Sequence, residues 1–220
     1  PESFELGWSD WDTDNPGVWQ VGVPLAGPPL ASGSRAFSPT NVAATVLSGD
    51  YPVNVKSRLT SPAFLVPGVS ADALVVLRFQ HWYGYGLGDG GQVQVSAWNG
   101  LAWDGWTALA VVTTNGTSAR WQQQIVDLTP YQGQSVRVGF LHTANADTSV
   151  GAGWYIDDVE LSSFIPSLMQ LGQDVTGTFS RSGERTYYVL NVPSGGHLNL
   201  TLAGPPGSRT ELYVRRAAPP

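Results

Sequence analysis

Three histidines, His81, His142 and His197, are the only imidazoles in this 220-residue chain, and cysteine is absent. Nucleophilic hydrolysis needs a hydroxyl or thiol within reach of a positioned base. The chain has neither a Gly-x-Ser-x-Gly elbow nor a His-Glu-x-x-His zinc motif. His81 stands beside Trp82 in a strand pattern and reads as a core or sheet-face residue, and His142 ends another such pattern. Catalysis is not expected. A sugar hydrolase would need two opposed acids in a cleft, and the spacing of the acids gives no support for one.

The carboxylates point to a cation instead. Glu5 stands on the first strand pattern and Asp157-Asp158 on the last one of the first 160 residues. Terminal strands of a wound sandwich are often neighbours, so these groups have the means to converge. Calcium takes six to eight oxygens, whereas adjacent buried carboxylates without a cation repel. The competing reading leaves one aspartate in solvent and the other capping a turn. Asp89, in Gly88-Asp-Gly-Gly91, is either a further ligand or a turn residue. The run Asp10-Trp-Asp-Thr-Asp-Asn15 alternates its acids but lacks the glycine and distal glutamate of an EF-hand, so it reads as a solvated loop.

Aromatic rings are the second candidate. Trp98, Trp103 and Trp106 crowd one hairpin, and Tyr83 and Tyr85 flank the Gly-rich loop. Flat rings on a sheet face stack on sugars or on exposed peptide groups.

Whatever holds these groups in place is built of strands. Residues 92–98 and 135–141 alternate apolar and polar side chains cleanly, 73–83 begins as an apolar run and then alternates, and 154–161 alternates imperfectly; all are rich in β-branched and aromatic types. Turn signals separate them: Gly88-Asp-Gly-Gly91, Asn99-Gly100, Asn115-Gly116 and Pro130-Tyr-Gln-Gly133. No stretch of a dozen residues has a 3.6-residue period. A boundary is expected near residues 162–170, where a strand pattern ends and a proline follows. Shorter strand patterns come after it at 175–179, 186–192, 198–202 and 212–214.

Composition excludes other classes. Lys and Arg number 11 against 17 Asp and Glu, a net charge of −6, and Lys56 is the only lysine. A nucleic-acid binder needs a basic footprint that this chain lacks. No apolar run approaches the ~20 residues of a membrane-spanning helix. Because the chain opens at Pro1, it is expected to be a trimmed piece of a longer precursor.

The ordered set of motifs has a known counterpart. Phe4-Glu5, Trp8 and Gly17-Val-Trp19 precede Ala31-Ser-Gly-Ser-Arg-Ala36, Gly49-Asp-Tyr51 and Leu59-Thr-Ser-Pro62. Phe79-Gln-His-Trp-Tyr83, Asp89-Gly-Gly91, Val126-Asp-Leu128, Tyr131-Gln-Gly133 and Gly153-Trp-Tyr-Ile-Asp-Asp-Val159 follow. Over residues 1–163 this order resembles the MAM-like jelly-roll domain of immune-inhibitor-A-type secreted bacterial metalloproteases. The resemblance implies a calcium ion held by the opening glutamate and the closing aspartate pair, and it gives one tryptophan after an Asn-Gly turn a core position. Residues 171–220, with Leu171-Gly-Gln-Asp-Val-Thr-Gly177, Tyr187-Tyr188, Val192-Pro-Ser-Gly195 and Glu211-Leu-Tyr-Val-Arg215, resemble the start of a bacterial pre-peptidase C-terminal domain. Glu211 replaces the aspartate common at that position.

The expected protein is all-β: a jelly-roll β-sandwich over 1–163, a linker over 164–170, and a smaller, incomplete β-sandwich over 171–220. Its expected role is a non-catalytic, calcium-stabilised binding, adhesion or accessory module of a secreted or surface bacterial protein. Its expected partners are other domains of its precursor and protein or polysaccharide at the cell surface. Two alternatives are a subunit that self-assembles by strand exchange through 171–220 and a carbohydrate-binding module of a secreted hydrolase.

Overall fold

The computed structural model describes residues 1–15, 17–30, 33–113, 115–180, 184–208, 210, 212 and 214. Ala31 and Ser32 of the first resemblance, and Glu211, Tyr213 and Arg215 of the second, lie outside the described residues. The chain divides into two compact units, Pro1–Ile165 and Pro166–Pro220.

In the first unit the strands, numbered in chain order, form two six-stranded antiparallel sheets. One runs β1 (Asp12–Thr13), β4 (Val55–Thr60), β11 (Ser135–Ala144), β7 (Gly90–Ala97), β8 (Thr107–Thr113), with β5 (Phe64–Leu65) also on β11. The other runs β10 (Gln122–Asp127), β6 (Leu74–Tyr85), β12 (Gly153–Phe164), β3 (Val42–Ala44), β2 (Gln20–Gly22), with β9 (Gly116–Thr117) also on β6. Strands distant in sequence lie side by side, as β4 with β11 and β6 with β12, which is the winding of a jelly-roll sandwich. Apart from a single 3₁₀ turn at Thr129–Tyr131, no helix forms among the described residues. The four alternating stretches become β6, β7, β11 and β12.

Alternation holds where one sheet face is covered and the other open. Val136, Val138 and Phe140 of β11 and Val93 and Val95 of β7 point into the core, where they join Val75, Leu77 and Phe79 of β6. Along β12 the alternation fails because both faces are covered: Trp154 and Ile156 enter the main core, and Tyr155 enters a second cluster with Trp82, Val42, Ala44 and Ala36. Gly27 makes the second cover possible. A Cβ there would sit 2.5 Å from the Tyr155 ring, and its φ of +80° suits glycine.

The first-strand expectation for Glu5 is corrected. Residues 4–10 are turns, and only Glu2 pairs with β12, exchanging main-chain bonds of 2.7 and 2.8 Å with Val159.

The second unit holds one parallel pair, β13 (Ser167–Met169) with β14 (Tyr188–Leu190). Among the described residues, no strand forms at 175–179 or 198–202, although both read as strands in sequence. Val175, Phe179, Leu198 and Leu202 are all exposed. β-propensity is largely the gain from a half-buried, paired surface, and these segments have neither a partner nor a core to cover them.

Phe140 is fully buried and its ring lies 5.8 Å from Trp11, 4.9 Å from Phe79 and 5.5 Å from Trp154. Phe140→Ala is expected to cost about 3–5 kcal/mol, the usual cost of a large buried ring plus its cavity. Urea unfolding measures it; a loss below about 1 kcal/mol contradicts a single core centred on this ring.

Candidate functional site

The β12 bulge builds the acidic site. Pairing with β6 shifts register between Asp157 and Glu160, and Asp158 takes a φ of +47°. An extra residue at a bulge re-aims its side chains, and here it leaves Asp157 fully buried. Asp157 Oδ2 accepts a bond from the Ser38 N–H at 2.9 Å, and Oδ1 accepts one from the Asp158 N–H at 2.8 Å. Glu5 Oε1 accepts bonds from the Thr40 and Asn41 N–H groups at 3.0 and 2.7 Å. The 38–41 loop is therefore held by both carboxylates. Burial pushes the Asp157 carboxyl up to about 8, and the charges of Asp158 and Glu5 push the same way, against the N–H bonds from Ser38 and Asp158. A buried carboxyl beside two like charges is the charge environment a cation relieves. Among the described residues, no three His, Asp or Glu side chains converge closely enough to form a ready cage. A cation here would take one or two side-chain ligands and complete its shell with main-chain oxygens and water.

Asp89 is not part of that group. Its Oδ2 accepts the Tyr51 hydroxyl proton at 2.6 Å and its Oδ1 accepts the Asn145 N–H at 2.7 Å. The Tyr51 hydroxyl in turn accepts the Gly86 N–H at 2.8 Å. This ties the β6–β7 turn to the loop after β11, so the turn-residue reading describes its place. The Asp10–Asn15 run is anchored likewise: Trp11 is buried, and Asp14 accepts the Arg58 N–H at 2.6 Å and pairs with the Arg58 guanidinium at 3.2 Å.

The aromatic candidates separate into two places. Tyr85 is corrected: it is 5% exposed, stacks on His142 at 5.5 Å and 17°, and offers no ring face to solvent. Tyr83 stacks on Tyr85 at 6.3 Å, packed against the core. The three tryptophans lie at the other location, the outer face of the β4–β11–β7–β8 sheet. Trp98 is 40% exposed and meets Trp103 edge-on at 5.4 Å across the Asn99-Gly100 turn. Trp103 and Trp106 are half-buried, and none of the three is in the core.

Arginines that sequence reasoning passed over join them. The Arg137 guanidinium lies 4.7 Å from the Trp103 ring centre and 5.0 Å from that of Trp106; Arg58 lies 4.4 Å from Trp106. These are cation–π distances. Gly139 makes the close approach possible, since a Cβ there would sit 2.5 Å from Arg58 Cδ and 2.8 Å from the Trp106 ring. Gln94 accepts the Arg58 Nε–H at 2.9 Å and donates to Gln92. Burial pushes the Arg58 guanidinium below its ordinary value, Asp14 pulls it back, and Arg137 adds to the downward push. The signal was available: Val136 and Val138 face inward, so period two turns Arg137 and Gly139 outward.

His81 and His142 are 3% and 0% exposed, inside the sandwich. His142 Nδ1 lies 3.2 Å from the Tyr85 hydroxyl. Burial pulls both imidazoles down to about 4.

No protein-family model matches the chain. Bacillopeptidase F of Bacillus subtilis strain 168 is 30% identical over 163 residues, 73% of this chain. The chain spans about a tenth of that protein's length, the matched region being 10% of it. The K3 cleaved adhesin domain of Lys-gingipain from Porphyromonas gingivalis W83 is 22% identical over 73% of this chain and 97% of that one, with a TM-score of 0.42. The family 11 carbohydrate-binding module of Clostridium thermocellum, solved with a mixed-linked tetrasaccharide, is 12% identical over 73% and 92%, with a TM-score of 0.39.

Opposite pH slopes follow from the buried groups. Between about pH 6.5 and 4 the unfolded chain protonates histidines that the folded chain keeps neutral, so stability falls as pH drops. Asp157 acts in reverse: the folded chain holds a proton that the unfolded chain has released, so stability falls as pH rises from about 4 to 8. Above about pH 7.5 the histidines are neutral in both states and silent, and between about pH 6.5 and 7.5 their fading contribution is outweighed by that of Asp157. In chelator the urea midpoint is expected to fall between pH 6.5 and 8, and Asp157→Asn to flatten that slope. A rising midpoint over this window contradicts the assignment.

Proposed function

We propose that the chain is a non-catalytic, extracellular binding or adhesion module of a larger secreted or surface bacterial protein, stabilised by calcium at Glu5 and the Asp157-Asp158 pair. The MAM-like and pre-peptidase readings of its two parts, with the boundary near residues 162–170, belong to the same proposal. The observation that carries it is the Trp98–Trp103–Arg137–Trp106–Arg58 row on an outer sheet face. Cations and indoles are held there in fixed positions at the surface, while both histidines of the first unit are sealed in the interior. A preorganised surface loses little freedom on binding, which is how a rigid module gains affinity. Polysaccharide or protein at the cell surface are the partner classes that flat rings and arginine serve. No helix among the described residues is long and apolar enough to cross a membrane.

A second reading has its own observation. In the second unit Leu168 is 67%, Phe179 50% and Val189 40% exposed, and among the described residues β13–β14 is a two-stranded pair without further strands beside it. Bare apolar side chains beside open strand edges favour pairing with another chain. In this reading residues 166–220 carry strand-exchange assembly. Light scattering on the whole chain and on residues 1–165 tests it: concentration-dependent growth of the whole chain alone supports assembly, and two monomers end it.

Calcium is expected to raise the melting temperature and chelator to lower it, because a ligand bound only by the folded state stabilises it by about 2.7 kcal/mol at a hundredfold excess over Kd. Glu5→Gln is expected to abolish the response. A melt indifferent to calcium at millimolar concentration removes the metal from the proposal. Incubation with casein or with neutral and acidic polysaccharides is expected to give no cleavage; hydrolysis lost in His81→Ala or Asp158→Asn would overturn the non-catalytic reading.

A further inference from the structure

The ligand class of the tryptophan–arginine face can be narrowed by its charge, resting on the binding-module reading above. Among the described residues two side-chain ion pairs form, Arg58 with Asp14 and Arg78 with Glu160. Arg137 is in neither. Arg137 is half-buried, its guanidinium lies over Trp103 and Trp106, and its Nε–H is buried without a hydrogen-bond partner among the described residues. A cation held by two indoles, with donors left over and no carboxylate paired to it among the described residues, is a poor arrangement for stability alone. The Nε–H is sealed from the surface, so the two Nη groups are the donors that a ligand on this face reaches. The same cation is well placed for an incoming carboxylate, since guanidinium and carboxylate match as planar forks.

The neighbouring groups define what else the ligand carries. Trp98 is the open ring of the row, and the Gln92 and Gln94 amides lie along the same face, Gln94 engaged with Arg58. Gly139 leaves the strand between them without a side chain. The face therefore offers a stacking ring, the half-buried Gln92 amide for a hydroxyl group, and one uncompensated positive charge in a chain of net charge −6. A neutral sugar uses the first two and leaves Arg137 unpaired; an acidic peptide uses the charge and leaves Trp98 idle.

We propose that this face binds a polysaccharide bearing uronic acids, with Arg137 pairing a sugar carboxylate and Trp98 stacking on a sugar ring.

The test titrates the 220-residue chain with hexasaccharides of galacturonic and mannuronic acid, each beside its methyl ester, with sodium as the only added cation. Esterification removes the charge and leaves the ring unchanged. At least one acid is expected to bind at least ten-fold more tightly than its ester. Arg137→Gln and Trp98→Ala are each expected to weaken the acid at least ten-fold, with unchanged melting temperature for Trp98→Ala, whose ring lies outside the core. Esters that bind as tightly as the acids overturn the uronate assignment while leaving a neutral-sugar module standing. Equal binding of poly-glutamate, insensitive to Trp98→Ala, overturns it in favour of a protein partner. No binding of either acid at millimolar concentration also overturns it, and shortened oligosaccharides after incubation would overturn the non-catalytic reading as well.

Discussion

The first unit depends on one ring. Phe140 stands midway along β11, stacked on Trp11 of the N-terminal loop and edge-on to Phe79 of β6 and Trp154 of β12. It thus joins the loop and both sheets at a single point of contact. With Phe140 turned inward, the pleat sends Val138 and Val136 the same way, and Arg137, Gly139 and Leu141 to the other face. The core and the tryptophan–arginine face are the two sides of one strand. A one-residue slip would exchange them, placing the Arg137 charge and the gap at Gly139 in the interior, so the packing that stabilises the sandwich also fixes the register of its outer face.

Buried polar groups divide into those that the fold satisfies and those that it leaves under tension. Asp89 belongs to the first kind: the Tyr51 hydroxyl and the Asn145 N–H hold its two oxygens, tying together the turn and loop at one end of the sandwich. Asp157 belongs to the second. It also accepts two N–H bonds, yet burial together with the charges of Asp158 and Glu5 outweighs them and lifts its carboxyl to about 8. The difference lies in the neighbours. Around Asp89 stand neutral donors, and around Asp157 stand like charges, which hydrogen bonds from the main chain do not cancel.

How much the sequence could tell followed from what each signal depends on. Alternation in 92–98 and 135–141 reports one buried face, and both stretches became strands of the expected kind. The imperfect alternation of 154–161 had a cause that lies outside the stretch: the loop around Gly27 and Ala36 covers its second face. Tyr85 shows the limit of proximity along the chain. It neighbours the Gly-rich turn, but β6 continues through it and its ring faces His142 in the core. Residues 175–179 and 198–202 have strand composition without a strand, because composition does not supply the partner edge. Arg58 and Arg137 were readable from the pleat as outward residues. Their gathering around Trp106 was not, since it depends on the β4–β11 and β11–β7 registers and on the missing side chain at Gly139.

Charge is distributed against composition on this face. The chain carries a single lysine, and its cations are nearly all arginines. Arginine is weakly hydrated and lies flat on indole, so it can be fixed where a lysine ammonium would remain in water. At physiological ionic strength charges are screened beyond about 8 Å. The net charge of −6 therefore does little to a ligand already at the face, while it disfavours the approach of polyanions to the rest of the surface. A module built this way gains little from long-range steering and must select at contact, through the fit of one guanidinium and one ring. Such selection depends on position more than on charge count, which is why the register imposed by Phe140 governs the outer face as much as the core.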